Sequence, residues 1–575
     1  MGWSRIVAMT SRVEGQPTME RLIRAILNRE SAITVAEARS IWMWAWFEAQ
    51  TNALVANQPE LRGFDRARHE SRRQEFATLD KALTDSAVVY AVDELIRVRP
   101  PQGNARGKVA DKTEMSLIDH ELQKSRGHVP VRDLVQRAGR SLQTLMPCWM
   151  MSPLSVSWFL PRDGFHFDLV VMDEASQIRP EDAMGALMRA KQAVIVGDTM
   201  QMPPSRTFDS GSSLEGLFAA SAMESVLALA EGCGRFRKSR LTWHYRSRHQ
   251  SLIAFSNAQY YDSQLLVFPS VHREQTSEGI TKIYLSRARY ASQLNTDEAK
   301  AVVDQIIAHA QDNLRQPTSQ RKSLGVAGMN VVQRDMIQDL LETRCAKDAV
   351  VRSAVDALNE LPEPLFIQNL ENIQGDERDH IIISFTYGPD AASGKVMQRF
   401  GPILQAGGER RLNVLFTRAR IRITAVTSMR SDQIQVASGS SRGLRDLQAY
   451  LAYVETGKLP QEAATSERSG THDSAFEQEV ASVLTQLGLA WESQVGVAGY
   501  FVDLGVYDPK NPGKFLLGIE CDGATYHRSR VARDRDRLRE EVIRSRGWDI
   551  YRIWSTDWFH NRSLEVERLK RYLSR

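Results

Sequence analysis

The chain of 575 residues contains no G-x-x-x-x-G-K-[ST] loop, the pattern that cradles phosphates on backbone N–H groups. Its nearest candidate, Ser393-Gly394-Lys395, lacks the first glycine and follows no strand-like run. The four cysteines (Cys148, Cys233, Cys345, Cys521) are far apart, with no C-x-x-C pair. That excludes a zinc ribbon or a disulfide framework and points to a reducing, cytoplasmic setting. No apolar run of about 18 residues exists, and nothing signal-like follows Met1, so neither membrane insertion nor secretion is indicated. Repeats and low-complexity tracts are also missing. Charge of one sign does not dominate: 74 basic residues face 70 acidic ones, giving a net charge of +4, which permits nucleic-acid binding without demanding it.

What is present is enough chain for roughly three or four domains. Residues 18 to 140 are rich in Ala, Leu, Glu, Arg and Gln at helical spacing, as in "MERLIRAILNRE" and "VPVRDLVQRAGRSLQTL". Short β-branched runs follow, "FDLVVMDEA", "AVIVGD", "NVVQ", "HIIISF" and "RITAVTS", separated by helical stretches. The alternation predicts an α/β fold with parallel sheets covered by helices. A polar stretch at 456 to 473 reads as a linker, and a smaller α/β unit occupies 474 to 575.

"LVVMDEASQIRP" reads as a buried strand running into Asp173 and Glu174. Carboxylates at the carboxyl end of a central strand suit phosphoryl chemistry, one holding magnesium and the other orienting a water. "AVIVGDTMQMPPS" supplies a second such strand, ending at Asp198, with Gln201 one turn on, placed to sense a γ-phosphate. Further along come "LTWHYRSRH" with Arg246, "NLENIQGDERDHIII" with Gln374, Gly375 and Glu377, and "LNVLFTRAR" with Arg418 and Arg420. Arginines from a second lobe can neutralise charge on a transferring phosphoryl group.

In this order the segments resemble motifs II to VI of superfamily 1 helicases, over residues 141 to 455, and specifically the large prokaryotic branch that ends in a small endonuclease domain. The resemblance implies two RecA-like lobes: residues 141 to 230 finish the first and 231 to 455 form the second. Residues 1 to 140 match the helical insertion of the first lobe. It also implies that "MPCWMMSPLSVSWFL" (146 to 160) is the strand and turn before motif II, where the first lobe touches single-stranded nucleic acid. Motif I is missing, so the chain is expected to start inside the first lobe and to hydrolyse ATP very weakly by itself. The parent would use ATP and Mg2+, and a separate chain supplying the early motifs is a conceivable partner. Asp173 would organise the metal, Glu174 the water, Gln201 the γ-phosphate coupling, and Arg246 and Arg418 the developing charge.

The terminal segment opens with an amphipathic helix, "SAFEQEVASVLTQLG", carrying Phe476, Val480, Val483, Leu484 and Leu487 on one face and Glu477 near its start. "YFVDLGVYDPKNPGKFLLGIECDG" then reads as a hairpin turning near Asn511 and Pro512. Folding it symmetrically puts Asp503 opposite Glu520, and Asp522 lies two residues on, along the same face. Three converging acids would repel unless a divalent cation joined them. This pattern, with "GATYH" after it, resembles the PD-(D/E)xK nucleases, nearest to very-short-patch-repair-like endonuclease domains. It implies Asp503, Glu520, Asp522 and Glu477 as metal-site residues and His527 as a candidate acid or base. Asp522 stands where the general pattern has lysine. The expected function is an ATP-driven DNA helicase or translocase with a metal-dependent endonuclease, in repair or defence against foreign DNA. The alternatives are an ATP-independent nuclease and a non-catalytic nucleic-acid-binding remnant.

Overall fold

The computed structural model describes residues 66–204, 224–272, 278–459, 475–496, 500–522 and 531–574, with single positions between 40 and 57. It divides into two compact units, Met1–Ala82 with Trp554–Arg575, and Leu83–Ile553. No helix among the described residues is long and apolar enough to cross a membrane.

The helical opening consists of α1 (Arg66–Arg97), α2 (Glu114–Leu122), α3 (Val131–Leu145) and α4 (Pro153–Phe159). Residues 146 to 160 were expected to contain a strand. They run irregularly to Ser152 and then form α4, which Ser152 caps by accepting a hydrogen bond from the Ser155 N–H, with Pro153 at its first position. Strand β1 (Phe167–Met172), helix α5 (Pro180–Leu187) and strand β2 (Ala190–Ile195) follow, and β1 and β2 pair in parallel as a sheet of two. The expectation that both strands are buried fails on one face. Leu169, Val171, Val194 and Val196 are exposed there, Val171 at 59%, because no described element packs over them.

After α6 (Val226–Gly232) and α7 (Ser251–Tyr260) the second lobe unfolds in order: β3 (Gly279–Tyr284), α8 (Thr296–Leu314), β4 (Leu324–Gly328), α9 (Val331–Lys347), α10 (Ala349–Asn359), β5 (Phe366–Asn369), β6 (Arg378–Ser384), α11 (Gly408–Phe416), β7 (Ala419–Thr427) and α12 (Arg442–Thr456). Its five-stranded sheet has the order β3-β7-β6-β4-β5, parallel throughout. Successive residues of β6 point to opposite faces, so Ile381 and Ile383 enter the core under α7, α11 and α12, while Ile382 enters the one under α8, α9 and α10. "NVVQ" is not a strand. Asn330 caps α9 by accepting from the Gln333 N–H at 2.8 Å, and the buried strand is the Leu324–Gly328 run before it.

The terminal domain has α13 (Ala475–Gln486), β8 (Trp491–Val495), β9 (Val502–Asp508), β10 (Asn511–Asp522), α14 (Arg539–Ser545), β11 (Ile550–Trp554) and α15 (Ser555–Leu573), with sheet order β11-β10-β9-β8. The hairpin turns at Pro509 and Lys510, two residues before the expected place, and Asn511 already belongs to β10. Two irregularities then restore the expected register. Asn511 pairs Asp508, Phe515 pairs Tyr507, and Leu517, Gly518 and Ile519 pair Val506, Gly505 and Leu504.

This domain does not stand apart from the second lobe. Phe268 and Val271, from the chain between α7 and β3, share one buried cluster with Val495, Tyr500, Val502, Phe515, Ile543, Trp548 and Ile550. Backbone joins them as well, since Phe515 N–H donates to Val271 O at 3.0 Å, and the Trp548 indole donates to Pro269 O at 2.9 Å.

Candidate functional site

Two clusters of chemistry-bearing residues emerge. In the first, the turn after β1 places Asp173 and Glu174 at the surface, Glu174 in the left-handed region at φ 51°. Glu174 accepts from Gln374 of the second lobe at 3.3 Å and from Gln177 at 3.1 Å. Gln374 sits beside Gly375, whose φ of +91° favours glycine in that turn. Arg246 and Glu377 form an ion pair at 2.5 Å. Arg418 is 2% exposed and bonded through Nε to Val414 O; its pKa falls to about 10, chiefly through burial and next through Arg246, with Glu174 and Glu377 opposing. The two carboxylate-bearing turns and both arginines thus face one cleft. Arg420 adjoins them only through Glu377, at 3.6 Å, and is otherwise paired with Glu363 and with Asp379 at 3.1 Å.

The second strand end is tied across the lobes by residues that spacing did not single out. Tyr261 donates to Asp198 Oδ2 at 2.7 Å, and Asn413 Nδ2 reaches both the Tyr261 hydroxyl and Met200 O at 2.9 Å. Gln201 bonds Asp198 at 3.2 Å. Asn413 lies inside the quoted "LNVLFTRAR", but only tertiary contact shows its task. Buried acceptor oxygens of Gln201, Gln374 and Asn413 have no hydrogen-bond partner among the described residues. Orphaned acceptors of this kind fit a water or ligand that donates hydrogen bonds.

The second cluster lies on the terminal sheet. Continuing the printed register by one pair sets Asp503 opposite Glu520. Glu520 accepts from Tyr500 at 2.7 Å, and Asp503 accepts from the Cys521 N–H at 2.7 Å. Burial, and next the charge of Glu520, push the Asp503 pKa up to about 8, with Glu477 and Asp522 adding to the effect. Glu477 is buried on α13 and accepts from Gln494 at 2.9 Å. Gln494 itself has φ 51°, a strained conformation beside the acids. Asp522 is ion-paired with Arg552 of β11. His527 lies outside the described residues. Among the described residues no group of three or more His, Cys, Asp or Glu side chains is placed to hold a metal ion. What the site offers is the facing pair Asp503 and Glu520, whose burial disfavours two adjacent charges. That donor set suits a hard divalent cation that keeps much of its water shell.

Comparison with known proteins gives two separate family matches. An AAA-domain family model matches residues 219–430, and the REase_MTES_1575 family model matches residues 476–573. An uncharacterized ATP-dependent helicase of Mycoplasma genitalium is 30% identical over 444 residues, covering 72% of this chain and 38% of that protein. These matches support a superfamily 1 helicase. Behind its helicase lobes it carries a domain of the restriction-endonuclease-like family just named. The DNA-binding protein SMUBP-2 of Mesocricetus auratus is 26% identical over 379 residues, covering 63% of this chain and 35% of that one. The chain therefore spans less than two fifths of the length of these curated relatives. The solved structure of PRRSV helicase superposes with a TM-score of 0.21 at 13% identity, over 47% of this chain and 37% of that one, too loosely to carry an argument.

Proposed function

We propose that this chain is the nuclease-bearing part of a DNA-directed motor and that its own chemistry is metal-dependent phosphodiester cleavage. The observation that carries the reading is the facing pair of half-buried Asp503 and buried Glu520, mounted on a domain whose core is shared with the second helicase lobe. Asp503 and Glu520 would hold Mg2+, which when bound polarises a phosphodiester and makes a water nucleophilic near neutral pH. Tyr500 fixes Glu520 through its hydroxyl, and the Cys521 N–H fixes Asp503, so both carboxylates are oriented before a cation arrives. DNA as the substrate rests on the helicase kinship.

In the motor cleft, Asp173 and Glu174 would organise Mg2+ and the attacking water, while Gln374, Arg246 and Arg418 of the second lobe would address the phosphoryl group. The loop that would hold most of the triphosphate is missing from these 575 residues, so ATP use belongs to an assembly that supplies it, in cis or from another chain. That observation favours a second reading, a nuclease that cuts without ATP. Incubating the chain with supercoiled and single-stranded DNA, with Mg2+ or EDTA and with or without ATP, tests both. Cutting that needs Mg2+ and disappears in Asp503→Ala is expected. Equal cutting by Asp503→Ala would remove the site, and cutting stimulated by ATP would count against the second reading.

A further inference from the structure

Asp522 stands two residues beyond Glu520 on the same face of β10, yet its carboxylate is turned to Arg552 of β11. Arg552 reaches further, to Glu540 at 3.4 Å, and its side chain is 13% exposed against 9% for Asp522. A buried ion pair of this kind holds only while both partners stay, because removing one strands the other charge. One oxygen of that carboxylate, Oδ2, faces the guanidinium and not the Asp503–Glu520 pair. Arginine, in turn, stays protonated in proteins, so the guanidinium is a permanent positive charge beside an otherwise acidic site.

Phosphodiester cleavage builds negative charge on the phosphoryl oxygens, and preorganised cations aimed at them are a large part of the catalysis. The position from which a lysine two residues after Glu520 would supply that cation is occupied here by an acid. The neighbouring strand brings an arginine to the same place, and Glu520 is among the charges acting on it. Resting on the nuclease reading above, we propose that Asp522 and Arg552 form a positioning pair. Asp522 holds the guanidinium toward the phosphodiester, and the metal is left to Asp503 and Glu520. Asp522 is then an orienting residue and not a metal ligand.

The test separates metal binding from cutting. Mn2+ is titrated calorimetrically into the full chain and into Asp503→Asn, Asp522→Asn, Arg552→Lys and Arg552→Met, and Mn2+-dependent cutting of DNA is measured on the same preparations. Asp503→Asn should weaken Mn2+ binding at least tenfold, whereas Asp522→Asn should stay within about twofold of the parent and cut at least tenfold more slowly. Arg552→Lys should retain more cutting than Arg552→Met, which a merely structural role would not require. If Arg552→Met fails to fold, the isosteric Asp522→Asn, with its melting curve as a check, still decides the matter. Loss of Mn2+ binding by Asp522→Asn as severe as by Asp503→Asn would overturn the assignment, as would undiminished cutting by Arg552→Met. Failure of the nuclease reading has a different signature: Asp503→Asn would bind Mn2+ like the parent.

Discussion

Replacing Phe268 by Ala should loosen the nuclease sheet although Phe268 belongs to the second helicase lobe. The ring is 3% exposed and packs 4.8 Å from Tyr500 and 5.4 Å from Trp243, within a cluster that also holds Phe515 and Trp548. Truncating a buried Phe to Ala costs about 3 to 5 kcal/mol in lost transfer energy and cavity formation. Loss of two aromatic pairings, worth about 0.5 to 1.5 kcal/mol each, argues for the upper half of that range. Local opening of β9 and β10 would then rise by roughly a hundredfold or more, since about 1.4 kcal/mol is a factor of ten. Hydrogen exchange of the full chain, followed at the amides of Val502–Asp508 and Leu517–Cys521, reads this directly. The change should extend to Glu520, because Tyr500 both packs on Phe268 and donates to that carboxylate. Loosening confined to the segment around Phe268, with β9 and β10 exchanging as before, would refute the shared core.

Further outcomes follow from the same structure. Asp503 has its folded pKa raised to about 8 from 3.8, so its contribution to metal-free stability is present below about pH 4 and lost as pH rises toward 8. Without metal, melting of the terminal domain should fall across that window and Asp503→Asn should flatten the fall, while Mn2+ binding to the parent tightens with rising pH; a pH-independent Mn2+ affinity would contradict this. Glu298, fully buried with its pKa raised to about 7 by burial, accepts from Ser384 Oγ, Ser428 Oγ and Thr386 N–H. Glu298→Ala strands those donors where the ends of β6 and β7 meet and should cost about 3 kcal/mol or more, read as a lowered melting temperature of the lobe. Finally, DNA-stimulated ATP turnover by the purified 575-residue chain should not exceed background in a coupled assay, and robust turnover would contradict the role given to the missing loop.

Much of this architecture could be read from local pattern. β1, β6 and β7 announced themselves as apolar runs, and the hairpin carrying Asp503 and Glu520 paired as a symmetric fold requires, although its turn sits two residues earlier and bulges make up the difference. "NVVQ" misled because three β-branched or cap-capable residues mark a strand and a capped helix start equally well, and Asn330 used its side chain to choose the helix. Tyr261, Asn413 and Arg552 could not be found from spacing, since each acts on a residue far off in sequence, 63, 213 and 30 positions away. The same holds for Phe268: a short apolar run between polar residues reads as a loop until the terminal domain packs on it. Several basic residues of 537 to 546 are likewise engaged by neighbours: Arg544 with Glu540 at 2.9 Å, Arg537 with Glu541 at 3.4 Å, and Arg546 with Tyr245 O at 2.8 Å and with Ser247 O.

The central claim is that a divalent cation sits between Asp503 and Glu520 on a nuclease sheet fastened to the second helicase lobe. Crystals of the full chain grown with Mn2+ and measured at the manganese absorption edge test it most directly. The account predicts an anomalous peak within ligand distance of both carboxylates, with Asp522 still paired to Arg552. A peak elsewhere, or none at saturating Mn2+, would contradict it.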